Sequence, residues 1–141
     1  RAGGGTMGLY LSQPDKTKEC STGEREDGLA YGAAALQGWR TGMEDATLVD
    51  LAYGGSGTAV FAVFDGHGGP EVSAYCAAHL HKHVVPLSEF REGHLGDALS
   101  KAFVALDAEL LTEEARSEMR QYAKDHPPSK PHIGDKMQRM R

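Results

Sequence analysis

Three acidic residues flank two neighbouring apolar segments of the sequence. Glu44 and Asp45 come directly before the first segment, and Asp65 directly follows the second. If the segments pair as antiparallel strands, the start of one lies beside the end of the other, so three carboxylates share one end of a sheet. Such carboxylates repel each other unless a cation compensates, and hard oxygen donors favour Mg²⁺ or Mn²⁺. The sequence therefore predicts a metal site.

The residues next to these acids could complete a hydrolytic centre. Gly66 has no side chain, so its carbonyl oxygen can approach an ion closely. Two metal ions bridged by Asp65 and a water would lower the pKa of that water until hydroxide forms near neutral pH. Arg40 lies four residues before Glu44, and its planar guanidinium can bind a phosphate through two hydrogen bonds. Histidine titrates near neutrality, so His67 could protonate a departing alkoxide.

Each of these residues also has an ordinary structural interpretation when it is taken alone. An isolated acid at a strand end is more often a turn or solvent-facing residue. Arg40 alone would more often be a surface ion-pair partner, and His67 a loop histidine. The placement of three acids across one predicted hairpin reverses that preference, so we favour the metal site.

A histidine-rich segment raises the separate question of a zinc site. His79 and His83 stand four residues apart, on one face of a predicted helix. Zinc needs three or four convergent ligands, and no third ligand is evident in the sequence. We therefore favour an ordinary helix surface over a zinc site.

The strands that would position the acids follow from the apolar pattern. Partial period-two alternation over residues 29–37 predicts one strand, and an apolar stretch over residues 46–52 predicts a second. Residues 58–64 form a β-branched and aromatic run, which predicts a third strand. Glycines in residues 53–57 permit the positive φ angles of a hairpin turn, so the last two strands should pair antiparallel.

Helical periodicity follows the strands. Pro70 can occupy a first helical turn, and apolar residues then recur at three- and four-residue steps as far as Val84. A second apolar stripe covers residues 95–110, and the polar residues 112–122 would extend that helix into solvent. Residues 123–141 have prolines and scattered charges without apolar periodicity, which predicts a polar, disordered tail. Strands followed by helices indicate an α+β domain.

The bulk composition excludes several classes of function. The chain has 141 residues, 40% hydrophobic and 25% charged, as in a globular domain. A net charge of −5 provides no basic field for nucleic acid. The two cysteines, Cys20 and Cys76, form no C-x-x-C motif. The longest apolar run, residues 59–64, is far below the roughly 20 residues that span a bilayer. We expect no nucleic acid partner, no transmembrane segment and a cytoplasmic or nuclear location.

The first residues carry a possible modification signal. Residues 1–7 are glycine-rich and read as a flexible leader. From Met7 the sequence matches the myristoylation pattern M-G-x-x-x-S, with Gly8 as the acceptor if Met7 is the initiator. A chance match is the alternative. Acylation would give only weak peripheral membrane contact, because one acyl chain anchors weakly.

The chain resembles the metal-dependent serine/threonine protein phosphatases, the type 2C or PPM family. The resemblance covers roughly residues 8–110 and depends on motifs in the order and spacing of that family. These are GLYLSQP at 8–14, Tyr31-Gly32, QGWRTGMEDA at 37–46 and VFDGHGG at 63–69. It implies the N-terminal part of an α-β-β-α layered sandwich in residues 8–122, an antiparallel β-sandwich flanked by helices.

The resemblance also implies roles for the metal-binding residues. Asp65 would bridge two divalent cations, Mg²⁺ or Mn²⁺, and the carbonyl of Gly66 would ligate one of them. Glu44 and Asp45 would hold metal-bound waters or the second ion.

Arg40 and His67 would act on the substrate by the same resemblance. Arg40 would bind the substrate phosphate, and His67 would serve as the general acid. The implied reaction is hydrolysis of phosphoserine and phosphothreonine in phosphoprotein substrates by a metal-bound hydroxide. Further strands and metal-binding aspartates of the family are not recognisable after Leu110, so we expect a truncated, inactive piece of an enzyme. The alternative is a non-catalytic, phosphatase-like binding or regulatory fragment.

Overall fold

The computed structural model describes residues 10–55 and 57–127. These residues group into two compact units. The first contains residues 10–23, 30–43 and 127, and the second contains the described residues of 24–29 and 44–126. The predictions of a leader at residues 1–7, of acylation at Gly8 and of a tail beyond residue 127 lie outside the described residues.

The first unit is built on a two-stranded sheet. Strand β1 spans Tyr10–Glu24 and pairs with strand β2, Ala30–Arg40. The strand predicted over residues 29–37 is confirmed, with three further residues at its end. Half-buried and exposed residues alternate along most of β2, as expected for a strand with one covered face. Strand β1 was not predicted, because its polar sequence lacks apolar alternation.

The second unit contains the predicted hairpin. Strand β3 spans Ala46–Tyr53 and pairs antiparallel with strand β4, Thr58–Phe64. Gly54, Gly55 and Gly57 adopt positive φ angles between the strands, which is the conformation that glycine permits in tight turns. The predicted strands and their antiparallel pairing are therefore confirmed.

Four helices complete the second unit. They are α1, Glu71–Val84; α2, Ser88–Arg91; α3, Leu95–Glu109; and α4, Glu113–Asp125. The two helices predicted from apolar periodicity are α1 and α3. The short helix α2 was not predicted.

The prediction that residues 112–122 extend α3 into solvent is wrong. The chain begins a new helix there, because the Thr112 side chain accepts a hydrogen bond from the Ala115 backbone N–H at 3.2 Å. Ala115 is 1% exposed and belongs to the core cluster that includes residues of α1. Helix α4 therefore packs on the domain, and it continues to Asp125, beyond the predicted boundary at residue 123.

The core of the second unit lies between the helices and one face of the hairpin. Its most deeply buried large side chains are Leu80 and Val84 of α1 and Leu106 of α3. Burial of each such side chain stabilises the fold by roughly 1.5–3 kcal/mol. Ala98 and Ala102 of α3 are fully buried, and their small size allows α1 to approach closely.

The described chain has the predicted α+β class, with two-stranded β sheets and four helices. Within residues 10–55 and 57–127, no helix combines the length and apolar character needed to cross a bilayer.

Candidate functional site

The β3–β4 register brings the predicted acids to one end of the hairpin. Ala46 pairs with Phe64 in the last ladder position. Continuation of the two backbones by one residue therefore places Asp45 beside Asp65, and by two residues places Glu44 beside Gly66. We call these four residues the acidic end of the hairpin. Asp45 and Asp65 are exposed, and Glu44 is half-buried.

Gly66 lies against the backbone of Glu44. A Cβ atom at position 66 would lie 2.0 Å from the carbonyl oxygen of Glu44 and 2.8 Å from its carbonyl carbon. No side chain can be accommodated at that distance without movement of one of the two backbones. Glycine at this position thus permits the two strands to stay close beyond the end of the ladder.

Ser73 supports the same carbonyl group from the first turns of α1. Its hydroxyl donates to the carbonyl oxygen of Glu44 and lies 2.9 Å from that of Pro70. Ser73 is 4% exposed. Ser73 was not among the predicted site residues, and its only signal in the sequence is a polar side chain among the apolar positions of a predicted helix.

The acidic end offers oxygen donors to a divalent cation. Its carboxylate and carbonyl oxygens match the donor chemistry of Mg²⁺ and Mn²⁺. Within residues 10–55 and 57–127, however, no three histidine, cysteine, aspartate or glutamate side chains converge on a point that could hold a metal ion. The backbone thus assembles the predicted donors at one end of the hairpin, while the side chains form no closed set of ligands.

Arg40 and His67 lie outside the β3–β4 hairpin. Arg40 is the last residue of β2 in the first unit, where its side chain is exposed and Gln37 Nε2 donates to its carbonyl oxygen at 2.9 Å. His67 is exposed in the loop after β4. Gly68 and Gly69 follow it with φ angles of 87° and 147°, which glycine adopts readily.

The interpretation of His79 and His83 as an ordinary helix surface is wrong in one respect. His79 is 8% exposed and contacts Glu118 Oε1 of α4 through Nε2 at 2.8 Å. His83 contacts Glu109 of α3 through its own Nε2. The two histidines therefore face different carboxylates on different helices and join α1 to both of them.

Tyr75 completes this polar interface between helices. Its ring stacks on His79 with a centroid distance of 4.0 Å, and its hydroxyl donates to Glu109 Oε1 at 2.6 Å. Burial and this hydrogen bond raise the pKa of Tyr75. The hydrogen bond from Tyr75, together with that from His83, lowers the pKa of Glu109. These groups stabilise helix packing and lie apart from the acidic end in the sequence.

Comparison with known proteins identifies relatives over most of the chain. The family model "Protein phosphatase 2C" matches residues 29–126. Protein phosphatase 1G of Bos taurus and that of Homo sapiens are each 47% identical to this chain over 122 residues. Probable protein phosphatase 2C 58 of Oryza sativa subsp. japonica is 44% identical over 103 residues.

Each match covers most of this chain but only a small part of the related protein. The match to the bovine and human proteins covers 83% of this chain but 22% of their length. The match to the rice protein covers 72% of this chain and 27% of that protein. The matched part of the chain therefore spans 22–27% of the length of these relatives. The family model covers well over half of the chain, which belongs to the protein phosphatase 2C family.

Proposed function

We propose that this chain is part of an enzyme that hydrolyses phosphoserine and phosphothreonine in proteins with the help of divalent cations. The observation that carries the proposal is the β3–β4 register, which brings Glu44, Asp45 and Asp65 to one end of the hairpin. Membership of the protein phosphatase 2C family supports the same chemistry.

The acidic end would hold Mg²⁺ or Mn²⁺ at a dinuclear site. Asp65 would contribute its carboxylate and Gly66 its carbonyl oxygen. Glu44 and Asp45 would add oxygen ligands from the facing side of the hairpin, directly or through water. When bound, the cations would supply Lewis acidity and a water of lowered pKa. Further ligands are required, because the described residues form no closed group of three.

The remaining residues would act on the phosphoprotein. The Arg40 guanidinium would bind two oxygens of the substrate phosphate. As the water oxygen bonds to phosphorus, the bond from phosphorus to the serine or threonine Oγ breaks. A ring nitrogen of His67 would donate a proton to that Oγ. The attacking water would keep one proton as a phosphate hydroxyl and release the other to solvent, from which His67 is reprotonated, so the products are inorganic phosphate and the free hydroxyl side chain.

A direct test uses the full-length gene product that contains this chain. Release of phosphate from a phosphothreonine peptide is measured against Mn²⁺ concentration for the wild type and for Asp65→Asn. We expect Asp65→Asn to reduce kcat/KM by at least about 100-fold, since even the outer partners of metal ligands contribute roughly 10- to 100-fold.

Asp107→Asn is the matched control, because it removes the same charge from an exposed position on α3 in the same unit. The control should retain wild-type activity. Absence of Mn²⁺-dependent hydrolysis in the wild type, or equal losses in both variants, would contradict the proposed function.

A non-catalytic, phosphatase-like binding role is the second candidate. The absence of a converged group of three metal-binding side chains within residues 10–55 and 57–127 favours it. The two candidates differ in one result: a binding protein would retain the phosphopeptide without releasing phosphate at any Mn²⁺ concentration.

We also propose a cytoplasmic or nuclear location. Acylation of Gly8 would add a weak contact with the membrane. Mass spectrometry of the N-terminal peptide of the native protein tests the acylation. A myristoyl group on Gly8 supports it, and an unmodified or longer N-terminus contradicts it.

A further inference from the structure

The carbonyl oxygen of Glu44 is the meeting point of three segments of the second unit. It belongs to the residue before Asp45 and β3, it faces Gly66 after β4, and it accepts a hydrogen bond from Ser73 of α1. Glu44 and Ser73 are 29 residues apart in sequence. The contact therefore joins the start of the hairpin to the helix that follows its other end.

The chemistry of the serine hydroxyl makes this contact specific. A hydroxyl has one proton, which Ser73 directs between the carbonyl oxygens of Glu44 and Pro70. The Pro70 interaction is the local bond that serine commonly makes within a helix. The Glu44 interaction is long-range and partly shielded from water, since Ser73 is 4% exposed and Glu44 is half-buried. Loss of the hydroxyl would leave the Glu44 carbonyl without this donor.

Movement of Glu44 would be transmitted to the facing strand. Its carbonyl already lies so close to Gly66 that a Cβ atom there would be at 2.0 Å. The backbone of Glu44 therefore has little freedom toward Gly66, and Ser73 limits its freedom in other directions. Together the two contacts restrict the position of the Glu44 backbone beside Gly66.

We propose that Ser73 is a positioning residue for the acidic end of the hairpin: its hydrogen bond to Glu44 sets the spacing of the oxygen donors and thereby the affinity for a divalent cation. This inference rests on the proposed function, because it concerns the same cation site. Ser73 itself acts through the backbone of Glu44 and contacts neither cation nor substrate.

The test compares Ser73→Ala with the wild type in the full-length gene product. Mn²⁺ binding is measured by titration calorimetry, and phosphate release from a phosphothreonine peptide is followed over a range of Mn²⁺ concentrations. We expect the Mn²⁺ dissociation constant of Ser73→Ala to rise about tenfold, the size of effect seen when partners of metal ligands are removed. At saturating Mn²⁺, kcat should return to near the wild-type value.

Thr112→Ala is the control for a purely structural effect. Thr112 caps α4, and its loss should lower stability by about 1 kcal/mol. Thermal unfolding is recorded for both variants. If Ser73 acts by positioning, Mn²⁺ affinity changes in Ser73→Ala and stays unchanged in Thr112→Ala, although both variants lose stability.

The outcomes separate the two proposals. Wild-type Mn²⁺ affinity in Ser73→Ala, or equal weakening in Thr112→Ala, overturns the positioning role while the proposed function stands. A wild-type protein without Mn²⁺-dependent hydrolysis overturns the proposed function. If the wild type also shows no Mn²⁺ binding that is lost in Asp65→Asn, the acidic end is not a cation site. In that case the proposed role of Ser73 is overturned as well.

Discussion

At the residue scale, the geometry of the acidic end depends on the absence of a side chain at position 66. The glycine allows Asp65 to leave β4 while the backbone stays against Glu44. An acid alone at this position could belong to any strand end. The combination of Asp65 with a following glycine in backbone contact distinguishes this end of the hairpin from an ordinary turn.

We expect Gly66→Ala to destabilise the second unit by about 1–3 kcal/mol, the usual range for overpacking. The added Cβ would lie 2.0 Å from a backbone oxygen, so the strands must separate. The measurement is urea unfolding of the 141-residue chain.

Gly96→Ala is the matched control for this substitution. Gly96 lies in α3, and a Cβ there meets no atom within 4 Å, so helix propensity should make this variant about 0.5–1 kcal/mol more stable. Equal midpoints for Gly66→Ala and the wild type would show that the close backbone contact does not exist in solution.

At the element scale, α1 organises the second unit. It contributes Leu80 and Val84 to the core, Ser73 to the acidic end and Tyr75, His79 and His83 to contacts with α3 and α4. A single helix thus connects the packing of the domain with the proposed cation site. Changes in helix packing can reach Glu44 through Ser73.

The start of α4 permits a prediction at this scale. Thr112→Ala removes the side-chain acceptor for the Ala115 backbone N–H, so we expect a loss of about 1 kcal/mol in the free energy of unfolding. Thermal denaturation of the 141-residue chain, followed by circular dichroism, measures the effect.

Thr112→Ser keeps the acceptor oxygen and is the control for the capping prediction. It should unfold close to the wild-type temperature. If Ser and Ala variants lose stability equally, the hydroxyl does not act as a cap, and α4 begins for another reason.

At the scale of the whole molecule, carboxylates that pair with cationic side chains make the stability of the fold decrease at acid pH. Hydrogen bonds from Arg25 hold the pKa of Asp27 at about 2, against an ordinary value of 3.8. Lys101 lowers the pKa of Glu89 to about 2, against 4.5. A carboxyl group whose pKa is lowered by folding stabilises the native state above its unfolded pKa, and that contribution is lost as the pH falls towards the folded pKa.

We therefore expect stability to be retained above about pH 5 and to fall between about pH 4.5 and 2. Unfolding temperatures measured from pH 7 to pH 2 check this. Glu109→Gln removes one contributing carboxylate, whose pKa is lowered chiefly by Tyr75, so its curve should be less steep in that interval. Constant unfolding temperatures down to pH 2 would contradict the prediction.

The sequence by itself determined the elements with strong local patterns and named the candidate residues of the site. The β3–β4 hairpin follows from a β-branched run and a glycine turn, and α1 and α3 follow from apolar periodicity, because these signals act over a few residues. Once the hairpin was predicted, its antiparallel register placed Glu44, Asp45 and Asp65 together, as the structure confirms for their backbones.

Only the tertiary structure decided the remaining features, because they depend on residues far apart in the chain. Strand β1 has a polar sequence and is defined by its pairing with β2. His79 is buried and contacts Glu118, which lies 39 residues further along the chain. The contact from Ser73 to Glu44 exists because the chain returns α1 to the start of β3, and no local pattern specifies that meeting.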